Sequence, residues 1–572
     1  MKDKRRVPPF TGALGMKLLK ERKIEMLHRK KSHKRRFEMY PDEEEKKGLS
    51  HRQITLIFFA ALWILMNIIA VIYIKSSRNI YFWDAATYWD ISREIASGKI
   101  SPGFWKNVYD SISQMDYNYV AGLPSAVFVW LFGQSRLVYI LSLVNLYAMP
   151  SVVMIYKLAK RLGKAEYFSA VAAVMVFPII LFITLIGFVD VGGLLFGLIC
   201  MYLYFTKSPT RPEYGRHIAI GMLLVLMMIW RRWYAFFAVS FITAMIADCV
   251  IYRKKIIPVL VTIITSAVVI LLFFRGFFYT KLIADYGNMY SGYKFSASTD
   301  FKLAARYFGV ITVLALAAGS VFAGIKKGEK RTVFLWIQII VCFVMFISTQ
   351  THGQQHLLLY VPSFAVMFII LLRYVNKLWL FGCICLVALC NSINVNIPRQ
   401  QPNNIQEISH MALIPDFSMR PIKRADTDEM LALKHKLDEA IEPGKTVGIL
   451  ASSFQLNEDV LRNVEYSVGE APAREDYIAN LPQVDSRDTD VTELFNVNYM
   501  LVATPAQTHL AEGSQKVVTN AVDCFVNYTG FAQAYDEIYD FETTIDNMTL
   551  KLYKRNRTVP NSAIREFEES LR

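Results

Sequence analysis

An acid and a phenol four residues apart, Asp84 and Tyr88, stand in the run Tyr81-Phe82-Trp83-Asp84-Ala85-Ala86-Thr87-Tyr88. On a helix that spacing puts both on one face. The run follows the first long apolar stretch, so Asp84 falls near a membrane surface among aromatics. A carboxylate held there is partly desolvated, which suits a general base; the plainer alternative is an interfacial acid turned to water. Asp90 fits that plainer description better. Asp190 lies in Gly187-Phe188-Val189-Asp190-Val191-Gly192-Gly193. An acid at the edge of the hydrocarbon is costly unless partnered or wetted. The glycines admit a second helix or a ligand, and a helix-start acid favoured by the dipole is the competing account. Arg231 and Arg232 occupy a very short turn, Trp230-Arg231-Arg232-Trp233-Tyr234, where guanidinium groups can take a phosphate bidentately or snorkel to lipid headgroups. A further turn gathers His352, Gln354, Gln355 and His356, with Tyr360 beyond, and can hydrogen-bond a sugar or a phosphate. Two histidines fall short of a metal signature, and no His/Cys ligand pattern occurs elsewhere. The cofactor is left open, a divalent cation included.

These residues need elements to hold them, and the composition says which kind. Of 572 residues, 54% are hydrophobic and 19% charged. Apolar runs of about 18 residues, each long enough to cross a bilayer, recur from Ile54 to Asn394. This excludes a purely soluble enzyme, a disordered chain and a disulfide-built secreted domain. The net charge of +15 is unevenly spread. Residues 396–572 hold 17 Lys+Arg and 28 Asp+Glu, a net of −11, so the remainder carries +26. A basic membrane part and an acidic tail speak of topology, not of nucleic acid. Six of the seven cysteines lie in apolar runs as small hydrophobes, and Cys524 alone stands in the tail.

The expected organisation is a basic cytoplasmic tail over residues 1–52, a polytopic helical domain over 53–395 and a soluble α/β domain over 396–572. Eleven spans are expected: 54–74, 137–156, 166–185, 189–206, 216–230, 234–252, 256–274, 308–325, 331–349, 357–373 and 377–395. With the N-terminus inside, eleven crossings put every basic cluster, from Lys30-Lys31 to Lys377, in the cytoplasm. A large first outer loop, 75–136, then lies outside, as do 275–307, 350–356 and the tail. Tyr119 to Phe132 is apolar enough to mimic a span, but counting it would invert every later loop. It is expected as an interfacial or re-entrant helix, with Phe82 to Ala96 as a second. In the tail, Asp426 to Ile441 and Gln515 to Asn527 have helical character. Thr446 to Ala451, Tyr499 to Ala503 and Met548 to Tyr553 have that of strands.

This layout resembles the polytopic GT-C glycosyltransferases, especially glycosyltransferase family 39, the protein O-mannosyltransferase and aminoarabinose-transferase branch. The resemblance rests on Asp84-x-x-x-Tyr88 after the first span, on Leu131-Phe132-Gly133 with Arg136, on Asp190, and on the turn with His356, Tyr360 and Pro362. It covers roughly residues 54–395; Ala85 departs from it, standing where many relatives carry a second acid. The segment Pro505-Ala506-Gln507-Thr508-His509-Leu510 resembles one in bacterial relatives. The resemblance implies a bacterial plasma-membrane enzyme with Asp84 as catalytic acid/base. It also implies a polyprenyl-phosphate sugar as donor, an envelope glycan, lipid or protein as acceptor, and membrane lipid as surroundings. Substrate contacts are then expected at Tyr88, Asp190, Arg231, Arg232, His352, Gln355, His356 and Tyr360. The rivals are a non-catalytic scaffold, a sugar-polymer polymerase or ligase, and a transporter, though span interiors are nearly free of ionisable residues apart from Asp248.

The topology has a direct check. In a cysteine-free background, a cysteine near residue 500 should react from outside, and one near residue 20 only after permeabilisation. Outside labelling near residue 160 would overturn the orientation.

Overall fold

The structure is a computed structural model and describes residues 49–101, 103–163, 166–206, 213–374, 399–400, 410–415, 421–541 and 548–572. Contacts divide the chain into two units, Met1–Ala61 and Leu62–Arg572. The described part of the first is the opening of helix His51–Ser76. Apart from that opening, everything below belongs to the second.

Among the described residues, six helices are long and apolar enough to cross a membrane: His51–Ser76, Arg136–Leu162, Glu213–Trp230, Tyr234–Ile251, Val310–Lys327 and Arg331–Thr349. Two further expected spans are broken. The pair Glu166–Val176 and Ile179–Leu185 is interrupted at Phe177-Pro178, where proline removes a backbone donor. Ile257–Phe273 turns through 102° into the segment Arg275–Leu282, so the expected 256–274 ends in a sharp bend. Shorter apolar helices occupy Asp190–Phe205 and Val361–Leu371. The expected 357–373 opens instead with a 3-10 turn, Gln354–Leu359, before its helix. The expected eleventh span, 377–395, lies outside the described residues. Tyr119–Phe132 is a helix of 14 residues. It rises about 21 Å, short of the ~30 Å hydrocarbon core. It packs on Trp83–Ala96, where Gly122 meets Ile91.

Small residues set the helix contacts that matter for the site. Gly192 and Gly193 open helix Asp190–Phe205, and the side chains of Trp230 and Tyr234 fill the room they leave. Trp230 Nε1 donates to the Val189 carbonyl at 2.8 Å, and the Tyr234 hydroxyl donates to the Asp190 carbonyl at 2.6 Å. Arg231 lies between these two aromatics in sequence, so the fit delivers its guanidinium to Asp190.

The tail is a four-stranded sheet with helices on both faces. Val447–Leu450 runs parallel to Tyr499–Thr504, which pairs antiparallel with Thr549–Arg555, and Tyr535–Phe541 forms the far edge. Alternation along Tyr499–Thr504 sends Tyr499, Leu501 and Ala503 into one core and Met500 and Val502 into the other. The first core is closed by helices Thr427–Ala440 and Glu458–Val468, the second by Lys516–Asn527 and Asn561–Ser570. The expected tail elements are all present. Glu458–Val468, Tyr535–Phe541 and Asn561–Ser570 were not foreseen. Ile80, from the segment after the first helix, is fully buried in the first of these cores. Beside it Ser77 Oγ and the Arg78 amide donate to the Ile422 carbonyl at 3.1 and 3.0 Å.

A Cβ at Gly193 would lie 2.2 Å from the Tyr234 ring. Gly193→Ala should therefore destabilise the protein by about 1–3 kcal/mol, the usual range for overpacking. Thermal unfolding in detergent checks this, and an unchanged midpoint would show that the tyrosine can move aside freely.

Candidate active site

Asp84 stands in the first turn of Trp83–Ala96. Three donors converge on its carboxylate: the Tyr117 hydroxyl, Arg231 Nη2 at 2.5 Å and Gln355 Nε2 at 3.2 Å. Its side chain keeps 19% of its surface exposed, toward a cavity of about 1030 Å³. Burial pushes the Asp84 carboxyl up, but Arg231 and the Tyr117 hydrogen bond outweigh it and hold it below its ordinary 3.8. The carboxylate is thus ionised at neutral pH. Its pairing stabilises the fold above the ordinary carboxylate range and is lost as pH falls through the lowered value.

Arg231 bridges two acids. Its Nε lies 3.4 Å from Asp190 Oδ1, and Nη1 donates to the Tyr88 hydroxyl at 3.2 Å. The Arg231 and Asp190 side chains are 4% and 2% exposed. Asp190 Oδ2 has no hydrogen-bond partner among the described residues. The two arginines expected together at a phosphate are therefore separated. Arg231 is enclosed behind Asp84, whereas Arg232 faces the cavity. Arg232 is held by Asp116 at 2.8 Å and by the Tyr290 hydroxyl, and packs on the Trp233, Tyr286 and Tyr290 rings. Lys281 shares Asp116 at 2.6 Å.

The turn after Thr349 is ordered by His352. Its backbone N–H and its Nδ1 meet Asp300 Oδ1 at 2.8 and 2.6 Å, and its Nε2 lies 2.6 Å from the Tyr360 hydroxyl. His356 Nδ1 accepts the Gly353 N–H at 2.8 Å, leaving Nε2 to carry the proton. Burial first, then Arg231, pushes His356 well below its usual value, so it is a neutral imidazole. Of the expected substrate contacts, Arg232, His352, Gln355 and His356 line the cavity. Tyr88, Asp190, Arg231 and Tyr360 stand behind that wall. Asp90, expected as a solvated acid, is instead paired with Arg93 at 2.5 Å. No group of three or more His, Cys, Asp or Glu is arranged around a metal position among the described residues.

Several participants were not singled out from the sequence. Tyr117 and Asp116 carry only an unremarkable Asp-Tyr pair as signal. Asp300 is buried under the histidine turn. From the tail, Asp459 Oδ2 accepts the Trp83 N–H at 2.8 Å, and Glu475 takes Arg93 in a fork at 3.0 and 3.1 Å. Trp83 has φ +47°, a left-handed backbone unusual for a bulky residue. That conformation is fixed by Asp459 on its N–H and by Phe454 and His509 against its ring.

No family model matches the chain, and no curated protein does. Among solved structures, ArnT from Cupriavidus metallidurans bound to undecaprenyl phosphate superposes with a TM-score of 0.54 at 11% identity, covering 87% of this chain and 97% of that one. Its apo state gives 0.53 and 11%, covering 88% and 98%. The likeness runs through both the membrane helices and the tail. The chain therefore has the fold of a polytopic GT-C membrane protein with a C-terminal α/β domain.

Removing the cation from between two enclosed acids should be severe. Arg231→Gln is expected to lower stability by about 3–5 kcal/mol, and adding Asp190→Asn should recover much of the loss. Chemical denaturation of the single and double variants checks this. A single variant within about 0.5 kcal/mol of wild type would show that the bridge does not hold the site together.

Proposed function

We propose that this protein is an inverting glycosyltransferase of the bacterial plasma membrane that moves a sugar from a polyprenyl-phosphate donor to an envelope acceptor on the outer face. The single observation that carries this is an ionised carboxylate, Asp84, held by three donors at the wall of a large cavity that the tail also lines. The ArnT fold, seen in that protein with undecaprenyl phosphate, supports a lipid-phosphate donor.

In this scheme the acceptor hydroxyl attacks the anomeric carbon as the bond to the donor phosphate breaks, its electron pair leaving with the phosphate. The hydroxyl proton passes to Asp84. A carboxylate with a lowered pKa is a weak base, so the proton moves late, once attack has made the hydroxyl acidic. Arg232, with neutral His356 and Gln355 beside it, meets the charge that grows on the leaving phosphate. Arg231, Asp190 and Tyr88 position Asp84 from behind. The N-terminal tail is cytoplasmic and the α/β domain extracytoplasmic.

The test is release of polyprenyl phosphate by purified protein given a panel of polyprenyl-phosphate sugars. Asp84→Asn should lower the rate about 10²- to 10⁴-fold while the protein folds and inserts, and a rate within about threefold of wild type would refute the assignment. Arg232→Gln should raise the apparent KM for donor in detergent, where headgroup anchoring no longer matters, and Arg232→Lys should restore part of it. An unchanged donor KM would leave Arg232 as an anchor and move the phosphate site elsewhere.

A further inference from the structure

The C-terminal domain forms one wall of the cavity, and that wall has a chemistry of its own. Three rings cluster on it beside Asp84. Trp83, the neighbour of Asp84 in the chain, lies 4.2 Å from the His509 ring and 5.3 Å from Phe454, and Phe454 lies 6.1 Å from His509. All three line the cavity. Next to them are Glu458 and Gln483. Gln483 Nε2 donates to the Glu458 carboxyl at 2.5 Å, and Gln483 Oε1 accepts from Ser452 at 2.7 Å.

The charges on this wall are already matched. Asp459 meets Arg462 at 3.2 Å as well as the Trp83 N–H, and Arg487 meets Asp488 at 2.6 Å. Burial, then the neighbouring Asp459, pushes the Glu458 carboxyl well above its usual range, and burial takes the His509 imidazole down to about 4. His509 is therefore neutral near pH 7, and Glu458 is shifted toward its protonated form. Among the described residues of this wall both cations, Arg462 and Arg487, have a carboxylate partner, so a phosphate finds no free one. What the wall offers is flat aromatic surface bordered by an amide and a carboxyl that burial shifts toward its neutral form. Such surfaces suit a ligand with an apolar face and a rim of hydroxyls.

We propose that this wall is the acceptor subsite and that it holds a neutral sugar ring, stacked on Trp83, Phe454 and His509 with hydroxyls toward Glu458 and Gln483. The inference rests on Asp84 serving the acceptor hydroxyl, since the platform adjoins it by one residue. It adds to that assignment a substrate class, an acceptor glycan, and gives the C-terminal domain a binding role.

Binding can be measured without transfer. Saturation-transfer NMR on the full-length protein, in a detergent without a sugar headgroup, is run with methyl β-glucoside, methyl α-mannoside and methyl N-acetyl-β-glucosaminide. At least one should show saturated ring protons, undisturbed by inorganic phosphate. Phe454→Ala should weaken its binding about tenfold, matching loss of one aromatic contact. Glu458→Gln, which keeps a neutral donor and acceptor, should hold affinity within about threefold, whereas Glu458→Leu should lose it. Thermal unfolding confirms that each variant is folded. Saturation of none of the three, displacement by phosphate, or full binding by folded Phe454→Ala would overturn the proposal. The outcomes separate from those at Asp84. Asp84→Asn that binds the glycoside yet transfers normally sinks the base and leaves the subsite. Loss at Asp84 with no glycoside bound does the reverse.

Discussion

Two acids from different helices share one enclosed guanidinium, and much of the cavity's surroundings is arranged around that fact. Arg231 takes Asp84 on one side and Asp190 on the other, with its own side chain 4% exposed. Withdrawing three charges from water is costly, and the cost is offset only when geometry and further hydrogen bonds are good. The requirement explains otherwise separate features. Gly192 and Gly193 let Trp230 and Tyr234 close over the start of a helix, which fixes the arginine turn. Two acids on one cation leave a negative excess, and Tyr117 and Gln355 answer it at Asp84. A lysine could not replace the arginine, because a point charge cannot reach two carboxylates from one plane.

The histidine turn serves the same centre from the opposite side. His352 is locked between Asp300 and Tyr360, so it orders the turn and does not reach for a ligand. What it presents are the next residues, Gln355 toward Asp84 and His356 against Trp233 and Phe346. The neighbouring Arg232 is held in an aromatic box and by Asp116, a polar contact a ligand could compete for.

Local patterns in the sequence predicted the elements well, because hydropathy and alternation are local. The apolar runs mark helices, and Tyr499 to Ala503 alternates between two cores as a central strand does. The types of the site residues were legible too. An acid among aromatics and an acid beside glycines were both suspect on desolvation alone. What could not be read was their grouping. Arg231 and Arg232 look equivalent in the chain, yet one residue of rotation at the end of a helix sends one inward and the other to the cavity. Tyr117 is 33 residues from Asp84, and Asp459 is 376 from Trp83. Contacts at such separations leave no periodic trace. The bend after Phe273 and the insertion of Ile80 into a core of the tail were invisible for the same reason.

Ile80 and Trp83 bear on how the protein is made. The segment that leads into the Asp84 helix gives one side chain to a core built from residues 430–552 and a backbone N–H to Asp459. A left-handed tryptophan costs of order 1–3 kcal/mol unless its surroundings impose it. During synthesis the ribosome delivers the described membrane helices first, and the core that surrounds Ile80 comes much later. A chain still being translated thus holds Asp84 on a helix whose first residue has no partner. The centre is finished only when Asp459 has met the Trp83 N–H and the core around Ile80 has closed, so the helix that bears Asp84 waits on a part of the chain made several hundred residues later.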